Sequence, residues 1–332
     1  MIPFTRRAFV RALAAIAASG AFAATHVHAQ TGAYPNRPIK LVVAYPPGGG
    51  ADLTARTLAQ KMTEQLGQPV VVENRPGANG GIGADQVAKA APDGYTVVLV
   101  DRGALGINPS LYAKLPYDPL KDFAFIGIAT EGPYVLVVNP KLQVNNVKEL
   151  IALAKAKPKS VDYGSFGIGS MAQLNLEAFN QRQGTDLQHV PYKGAGPAVQ
   201  AVVAGEVGVA IASAPSVLGF VKDGRLKAIA VGSDKRMAVL PDVPTLAEAG
   251  AHPDTLLPVF FGLAAPAGTP PDIVAKLNAE MKRALAAPDA ADKLVASGLV
   301  PTGSSPEVMA KTVAQDVERF RALVKSIGVK AE

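Results

Sequence analysis

Four stretches of this chain have the residue types and spacing to hold a small anion. Each is a glycine-rich turn that follows an apolar run and leads into a helix-forming segment. The first, entered from Tyr45, is Pro46-Pro47-Gly48-Gly49-Gly50-Ala51-Asp52. The second is Asn74-Arg75-Pro76-Gly77-Ala78-Asn79-Gly80-Gly81-Ile82-Gly83. The third is Gly164-Ser165-Phe166-Gly167-Ile168-Gly169-Ser170-Met171-Ala172, and the fourth is Tyr192-Lys193-Gly194-Ala195-Gly196-Pro197. Such a turn presents the unpaired N–H groups of a helix start, where the helix dipole is positive, so several donors can converge on one anion. Glycine lets the chain curl and a ligand approach the backbone, and proline fixes the approach.

Side chains in these turns add chemistry of their own. Ser165 and Ser170 supply hydroxyl donors beside the amides of Gly167 and Gly169. Lys193 can pair with a ligand carboxylate or extend into solvent, and Tyr192 can pack as a wall or hydrogen-bond. Asp52 suits the N-cap of the helix through Arg56. As a ligand contact it would repel a carboxylate but hold an ordered water or an amine. The second turn reads first as a cap for the helix that follows it.

Covalent and metal chemistry find little footing. The chain has no Cys, which excludes thiolate catalysis, Cys-ligated zinc and iron–sulfur clusters. Of its four His, His26 and His28 lie near the start, and His189 and His252 are far apart. His189 sits inside an apolar strand and reads as a buried, satisfied histidine. There is no G-x-S-x-G elbow, H-E-x-x-H or Walker loop, and no nucleophile–base–orienter set. The third turn does contain Gly167-x-Gly169-x-x-Ala172 followed by Asp186, a degenerate dinucleotide fingerprint. That keeps an exported NAD(P)-dependent oxidoreductase as an alternative, although an exported protein rarely meets free nicotinamide cofactor. The main reading needs no enzyme activity, cofactor or metal.

The first 29 residues read as a signal peptide. Arg6, Arg7 and Arg11 make a positive start, Ala12 to Ala24 an apolar stretch too short to span a bilayer, and Val27-His28-Ala29 a cleavage site. Thr5-Arg6-Arg7-Ala8-Phe9-Val10-Arg11 is similar to a twin-arginine export signal; a general secretory signal with adjacent arginines is the other reading. The mature chain would begin at Gln30 in the periplasm. Removing three Arg from 33 basic residues leaves 30 against 27 acidic ones, a mild net charge of +3. No basic run with interleaved aromatics occurs, so no nucleic-acid partner is expected.

The elements that must position the turns alternate along the chain. Apolar runs predict strands at 40–45, 70–73, 96–100, 125–128, 134–138, 161–164, 187–190, 207–211, 226–231 and 260–264. Helical patterns fall at 52–66, 83–90, 147–156, 171–183, 195–204, 215–222, 271–286, 290–297 and 306–326. Strands made almost wholly of Val, Ile and Leu belong to sheets covered by helices on both faces. The fold class is therefore α/β, doubly wound. A mature chain of about 300 residues suggests two domains. The boundaries are drawn at 30–128 plus 245–332 for one and 129–244 for the other, with 125–138 and 233–260 as crossing stretches. A ligand would sit between the domains, at strand carboxyl ends.

An ordered series of short motifs resembles one family along the whole mature length. It runs Tyr34-Pro35-x-Arg37-Pro38-Ile39, Pro46-Pro47-Gly48-Gly49 with Asp52 and Ala55-Arg56, and Val72-Glu73-Asn74-Arg75-Pro76-Gly77-Ala78-x-Gly80. It continues through Pro92-Asp93-Gly94-Tyr95, Asn108-Pro109-x-Leu111-Tyr112-x-x-Leu115-Pro116-Tyr117-Asp118 and His189-Val190-Pro191-Tyr192-Lys193-Gly194. Leu240-Pro241-x-Val243-Pro244-Thr245-x-x-Glu248-x-Gly250 and Ala265-Pro266-Ala267-Gly268-Thr269-Pro270 complete it. The chain resembles the solute receptors of tripartite tricarboxylate transporters, the Bug receptor family. The resemblance implies a type II periplasmic binding protein, monomeric, whose two domains close about a hinge over a carboxylate. It implies delivery to the membrane permease subunits; an orphan receptor reporting to a two-component sensor kinase is the alternative. It also implies that backbone amides and ordered waters of the first and third turns grip the carboxylate, here Pro47, Gly48, Gly49, Asp52, Ser165, Gly167, Gly169 and Ser170. Tyr45, Tyr192 and Lys193 join the expected site.

Three departures from the family pattern bear on the ligand. Gln173 stands where His is common, Gly208 where Asp is common, and Arg102-Gly103-Ala104 where the loop after Asp101 tends to hold Thr and His. The Arg102 and Gly103 loop should line the cleft, and Arg102 could clamp a second carboxylate. Lost polar positions favour a larger, flatter acid such as an aromatic carboxylate. The missing acid at position 208 counts against an amino-acid ligand, which wants a partner for its ammonium.

Overall fold

The computed structural model describes residues 34–329. The expected signal segment 1–29, with its twin-arginine motif and cleavage site at Ala29, lies outside the described residues. Eleven strands are present among them: β1 (Ile39–Val43), β2 (Val70–Asn74), β3 (Thr96–Val100), β4 (Phe123–Gly132), β5 (Tyr134–Val138), β6 (Asp162–Ser165), β7 (Gln188–Pro191), β8 (Val209–Ser213), β9 (Lys227–Val231), β10 (Val259–Pro266) and β11 (Val300–Pro301). They form two sheets, one ordered β11-β4-β10-β3-β1-β2 and the other β7-β6-β8-β5-β9. In the first, β1 lies parallel between β2 and β3, and β10 runs antiparallel to β3 and β4. In the second, β6 is parallel to β7 and β8, and β5 is antiparallel to β8 and β9.

Each sheet has its own core. In the first, Val42, Val98, Val100 and Phe260 are buried against Leu105 and against Met309, Val313 and Val317 of the helix Pro306–Ile327. In the second, Val135, Val137, Ala210 and Ala212 meet Val199 and Val202 of the helix Ala195–Ala204 and Val217 of the helix Ala214–Lys222. The continuous apolar runs of the central strands thus find helices on their faces, as the sequence predicts. This is an α/β architecture of two doubly wound lobes with a cleft between them.

All nine predicted helices occur; Val147–Ala156, Met171–Gln183, Ala195–Ala204 and Pro271–Ala286 keep both predicted bounds, and the last keeps its start at Pro306. The caps explain this. Asn146, Ser170 and Ser305 accept hydrogen bonds from Glu149, Gln173 and Val308 N–H, and Gly184, Gly205 and Gly328 end their helices in the left-handed conformation. The sequence reading missed the π turn Gly103–Ile107, the short helix Asn108–Leu111 and the two-residue strand β11. None carries the periodicity by which an element is recognised.

The chain passes between the sheets at two prolines. β4 runs on to Gly132, Pro133 interrupts it, and β5 begins at Tyr134 in the other sheet. The outward crossing is therefore four residues beyond the boundary drawn at 128/129. On the return, Met237, Leu240 and Val243 still belong to the second core, and Thr245 bridges to Val231. Leu257 N–H donates to Asn175 Oδ1 at 3.2 Å and its carbonyl accepts from Asn175 Nδ2 at 3.3 Å. Pro258 follows, and β10 starts at Val259, paired with Gly132. Proline has no N–H to give to a ladder, so neither sheet can extend through these positions into the other.

Candidate functional site

A cavity of about 890 Å³ lies where the two lobes face each other. Its walls come from the carboxyl ends of parallel strands in both sheets, the place open α/β sheets bind ligands. The first lobe contributes Tyr45 to Pro47, Gly49 to Ala51, Pro76 to Gly80, Asp101 and Phe261. The second contributes Tyr134, Phe166 to Ile168, Met171, Pro191 to Gly196, Ser213 and Ser216.

The turn after β1 presents its amides as expected. The helix Gly50–Leu66 starts after Gly49, whose side takes no capping side chain, and its first in-helix bond is Leu53 N–H to Gly49 O at 3.0 Å. The N–H groups of Gly49, Gly50 and Ala51 accordingly have no partner among the described residues, and all three residues line the cavity. Asp52 is not the N-cap; it lies in the first turn of that helix. Its Oδ2 accepts from Gly48 N–H at 3.1 Å and Arg56 Nε at 3.0 Å, and its Oδ1 from Asn74 Nδ2 at 3.1 Å. Burial alone would raise its pKa, but Arg56, Gly48 and Asn74 together outweigh that and lower it. Asp52 and Gly48 hold the turn from behind and are not on the cavity wall.

The turn after β6 differs from expectation. Phe166, Gly167 and Ile168 line the cavity, but Ser165, Gly169 and Ser170 do not. Their polar groups are used internally. Ser165 Oγ is 2.5 Å from His189 Nε2 and donates to Gly167 O at 3.1 Å. Ser170 caps its helix. Gly169 N–H donates to Gln173 Oε1 at 2.7 Å, and Gly169 O accepts from Asn79 Nδ2 at 3.0 Å across the cleft. Gln173, a departure from the family pattern, thereby ties up an amide that would otherwise be free. The Ser165–His189 contact is no nucleophile and base, because Ser165 is fully buried and away from the cavity.

The fourth turn completes the wall. Tyr192, Lys193, Gly194, Ala195 and Gly196 all line the cavity, at the start of the helix Ala195–Ala204. Lys193 is exposed at the cavity edge. Gly194 has φ +119°, and a Cβ there would meet Pro46 Cγ at 2.8 Å, so only glycine lets the two turns meet. The second turn, read as a cap, in fact contributes five residues from Pro76 to Gly80 to the wall. Asn79 is the polar member that the sequence reading missed. Its place on a non-periodic turn was the one available signal.

Arg102 does not face the cleft. Its guanidinium is paired with Asp316 of the helix Pro306–Ile327, its Nε donates to Pro258 O at 3.1 Å, and it lies 4.9 Å from the Phe260 ring centroid. The expected clamp on a second carboxylate is corrected accordingly: Arg102 is committed to a buried acid. Gly103 is also behind the wall, its N–H donating to Asp101 Oδ1 at 2.6 Å. Position 208 is at the wrong end as well. Gly208 precedes β8, and the cavity lies at the other end of that strand, at Ser213. An acid missing there says nothing about a ligand ammonium.

The acid on the wall is Asp101, which the sequence reading passed over. It follows β3 directly, is buried, and receives the Tyr45 hydroxyl on Oδ1. Burial raises its pKa to about 6, against hydrogen bonds from Tyr45, Gly103 and Ala104 that pull it down. The dinucleotide fingerprint fails on position. Asp186 lies two residues before β7, whose first residue Gln188 pairs with Asp162 at the start of β6. It is therefore at the opposite end of the strands from Gly167 and cannot reach a ligand held there. Among the described residues no cluster of His, Asp and Glu could hold a metal.

Known proteins bear on this geometry. A family model described as the tripartite tricarboxylate transporter family receptor matches residues 54–329. Protein BugT of Bordetella pertussis is 39% identical over 298 residues, covering 90% of this chain and 91% of BugT. A solved R. palustris protein with adipate superposes with a TM-score of 0.86 at 34% identity, over 90% of this chain and 99% of that one. MatC from Rhodopseudomonas palustris with bound malate gives 0.82 at 34% identity, over 88% and 100%.

Two predictions test these assignments. Arg102→Ala leaves Asp316 buried without its cation and should cost roughly 3–5 kcal/mol in urea unfolding. Discrimination between mono- and dicarboxylates should stay unchanged; a selective loss of dicarboxylates would restore the clamp. The second concerns His189, whose pKa burial lowers to about 4. The unfolded chain takes up that proton near pH 6.5. Stability should therefore fall as pH drops from about 6.5 to 4, and His189→Gln should flatten that part of the profile in denaturant titrations.

Proposed function

The chain belongs to the tripartite tricarboxylate transporter receptor family, whose members are solute-binding receptors rather than enzymes, and on that footing we propose that it captures an organic carboxylate in the periplasm. The ligand's carboxylate sits against the free amides of Gly49, Gly50 and Ala51, and the start of the helix Ala195–Ala204 faces it from the other lobe. The two lobes close about Pro133 and Pro258, and the closed form delivers the acid to the membrane permease subunits. Domain 1 (30–128 plus 245–332) and domain 2 (129–244) are the bodies proposed to move, adjusted to the proline crossings.

The single observation that carries this reading is the set of unpaired amides on a wall whose large side chains include Tyr45, Tyr134, Phe166, Ile168, Met171 and Phe261. Amides at a helix start hold a carboxylate, and apolar walls hold its body. A cavity of about 890 Å³ with aromatic sides suits an aromatic carboxylate, or a dicarboxylate whose second acid group reaches Lys193. Adipate and malate in the two solved relatives are carboxylates gripped by proteins of the same fold.

The test is the melting temperature of the mature protein against aliphatic di- and tricarboxylates, acidic amino acids, and aromatic mono- and dicarboxylates. A ligand at 100 times its dissociation constant stabilises by about 2.7 kcal/mol, a readily measured shift. No shift with any class, in protein shown by mass spectrometry to carry no co-purified acid, would overturn the carboxylate reading. Gly49→Val should abolish the shift while the unliganded melt stays near that of the parent. The nearest atom to a Cβ at Gly49 is Ser216 Oγ at 3.8 Å, so the fold accepts the side chain, which then crowds the amides.

A further inference from the structure

Resting on the carboxylate reading, we infer that the cavity selects acids that carry a second polar group, a hydroxyl or an ammonium, and that Asp101 is the residue that recognises it. The argument begins with hydrogen-bond accounting. Asp101 Oδ1 accepts from the Tyr45 hydroxyl, from Gly103 N–H at 2.6 Å and from Ala104 N–H at 3.4 Å. Its Oδ2 accepts from no group among the described residues, yet it is not sealed away, because the residue lines the cavity. Asp101 is only 8% exposed, so that oxygen has the cavity as its outlet. A ligand that displaces cavity water from this oxygen without supplying a donor leaves a costly unpaired carboxylate oxygen, and a ligand donor avoids that cost.

The charges around Asp101 leave the demand unmet. Its neighbour Arg102 is committed to Asp316 on the far side of the strand end. The other groups that bear on it electrostatically are the hydroxyls of Tyr45, Tyr117 and Tyr134, none of them a cation. Tyr117 is occupied, donating to Ala104 O at 2.6 Å. Tyr134 is buried on the cavity wall, and its hydroxyl has no hydrogen-bond partner among the described residues. The wall thus offers an acceptor, Asp101, and beside it a hydroxyl that both donates and accepts. A ligand hydroxyl can donate to Asp101 and accept from Tyr134. An ammonium can donate to both, with the stronger, charge-assisted bond to Asp101. A bare methylene satisfies neither, and a second carboxylate placed there is repelled.

The test compares acids that differ at one carbon only, using isothermal titration at pH 7.5. One trio is succinate, malate and aspartate; the other is phenylacetate, mandelate and phenylglycine. In the trio that fits the cavity, the hydroxy or amino acid should bind at least tenfold more tightly than its parent. Whether the hydroxyl or the ammonium member leads identifies the donor. Asp101→Asn should cut an ammonium preference at least tenfold, and Asp101→Leu should remove either preference, in protein shown by circular dichroism to keep the parent's fold. Lowering the pH to 5, where the Asp101 carboxyl is mostly protonated, should reproduce the Asp101→Asn pattern in the parent protein. A parent acid that binds as tightly as its partners, or a preference that survives Asp101→Leu, overturns the inference while leaving the receptor reading intact. Failure of all six acids and of the wider panel takes both down together.

Discussion

A helix that begins where a parallel strand ends cannot satisfy its own first amides, and the rest of this molecule is arranged around that constraint. The unpaired donors of Gly49, Gly50 and Ala51 need an acceptor, and no side chain of the described protein supplies one. Asp52 is close enough in sequence to do so but is turned back onto Gly48 and held there by Arg56 and Asn74. It shapes the turn without quenching it. The contrast with the turn after β6 is instructive. There Ser165, Ser170 and Gln173 consume the local polar groups, so that turn contributes shape through Phe166 and Ile168 more than hydrogen bonds. The turn after β6 is thus closed on itself, and the free amides that face the cavity come from the turn after β1 and from the start of the helix Ala195–Ala204.

The second organising constraint is that the chain must pass between two sheets without joining them. Strands this apolar would otherwise extend into one continuous ladder. Pro133 and Pro258 prevent it, since each removes a donor where the ladder would run on. Gly132 and Val259, the residues next to them, are paired with each other, so the two crossings lie side by side. Contacts between the lobes include Asn79 on Gly169 O, Pro46 against Gly194, Leu111 against Gly169, and Ala214 and Met237 against Gly298.

Much of this was legible in the sequence because it depends on short-range rules. Strand and helix bounds follow from apolar runs and caps, and the turns after β1 and after β7 follow from glycine between them. What the sequence did not disclose is direction. Ser165 and Phe166 are neighbours, but one is buried under His189 and the other faces the ligand space. Gly208 carried weight in the sequence reading because of its residue type, and loses it because it sits at the amino end of β8. Asn79 gave only its place on a turn and Tyr134 gave no signal, since each gains its role only from what the other lobe brings opposite it. Such facts belong to the tertiary arrangement, and no periodicity encodes them.

Asp101 and Arg102 show how fine that dependence is. They are adjacent and of opposite charge, and from sequence alone Arg102 reads as an arginine offered to the ligand. The chain, however, turns helical at Arg102, with φ −60° and ψ −29°, directly after an extended strand. Successive side chains then leave the backbone in different directions. Arg102 is carried toward Asp316 and stacked on Phe260, while Asp101 stays with the cavity. Had Asp316 been neutral, Arg102 would have had reason to return to Asp101 and cancel its charge. The acid in the C-terminal helix therefore does more than pair an arginine: by holding Arg102, it leaves Asp101 Oδ2 facing the cavity without a donor among the described residues. The ligand's second functional group is in this sense set from the far side of the sheet, by a residue that never touches it.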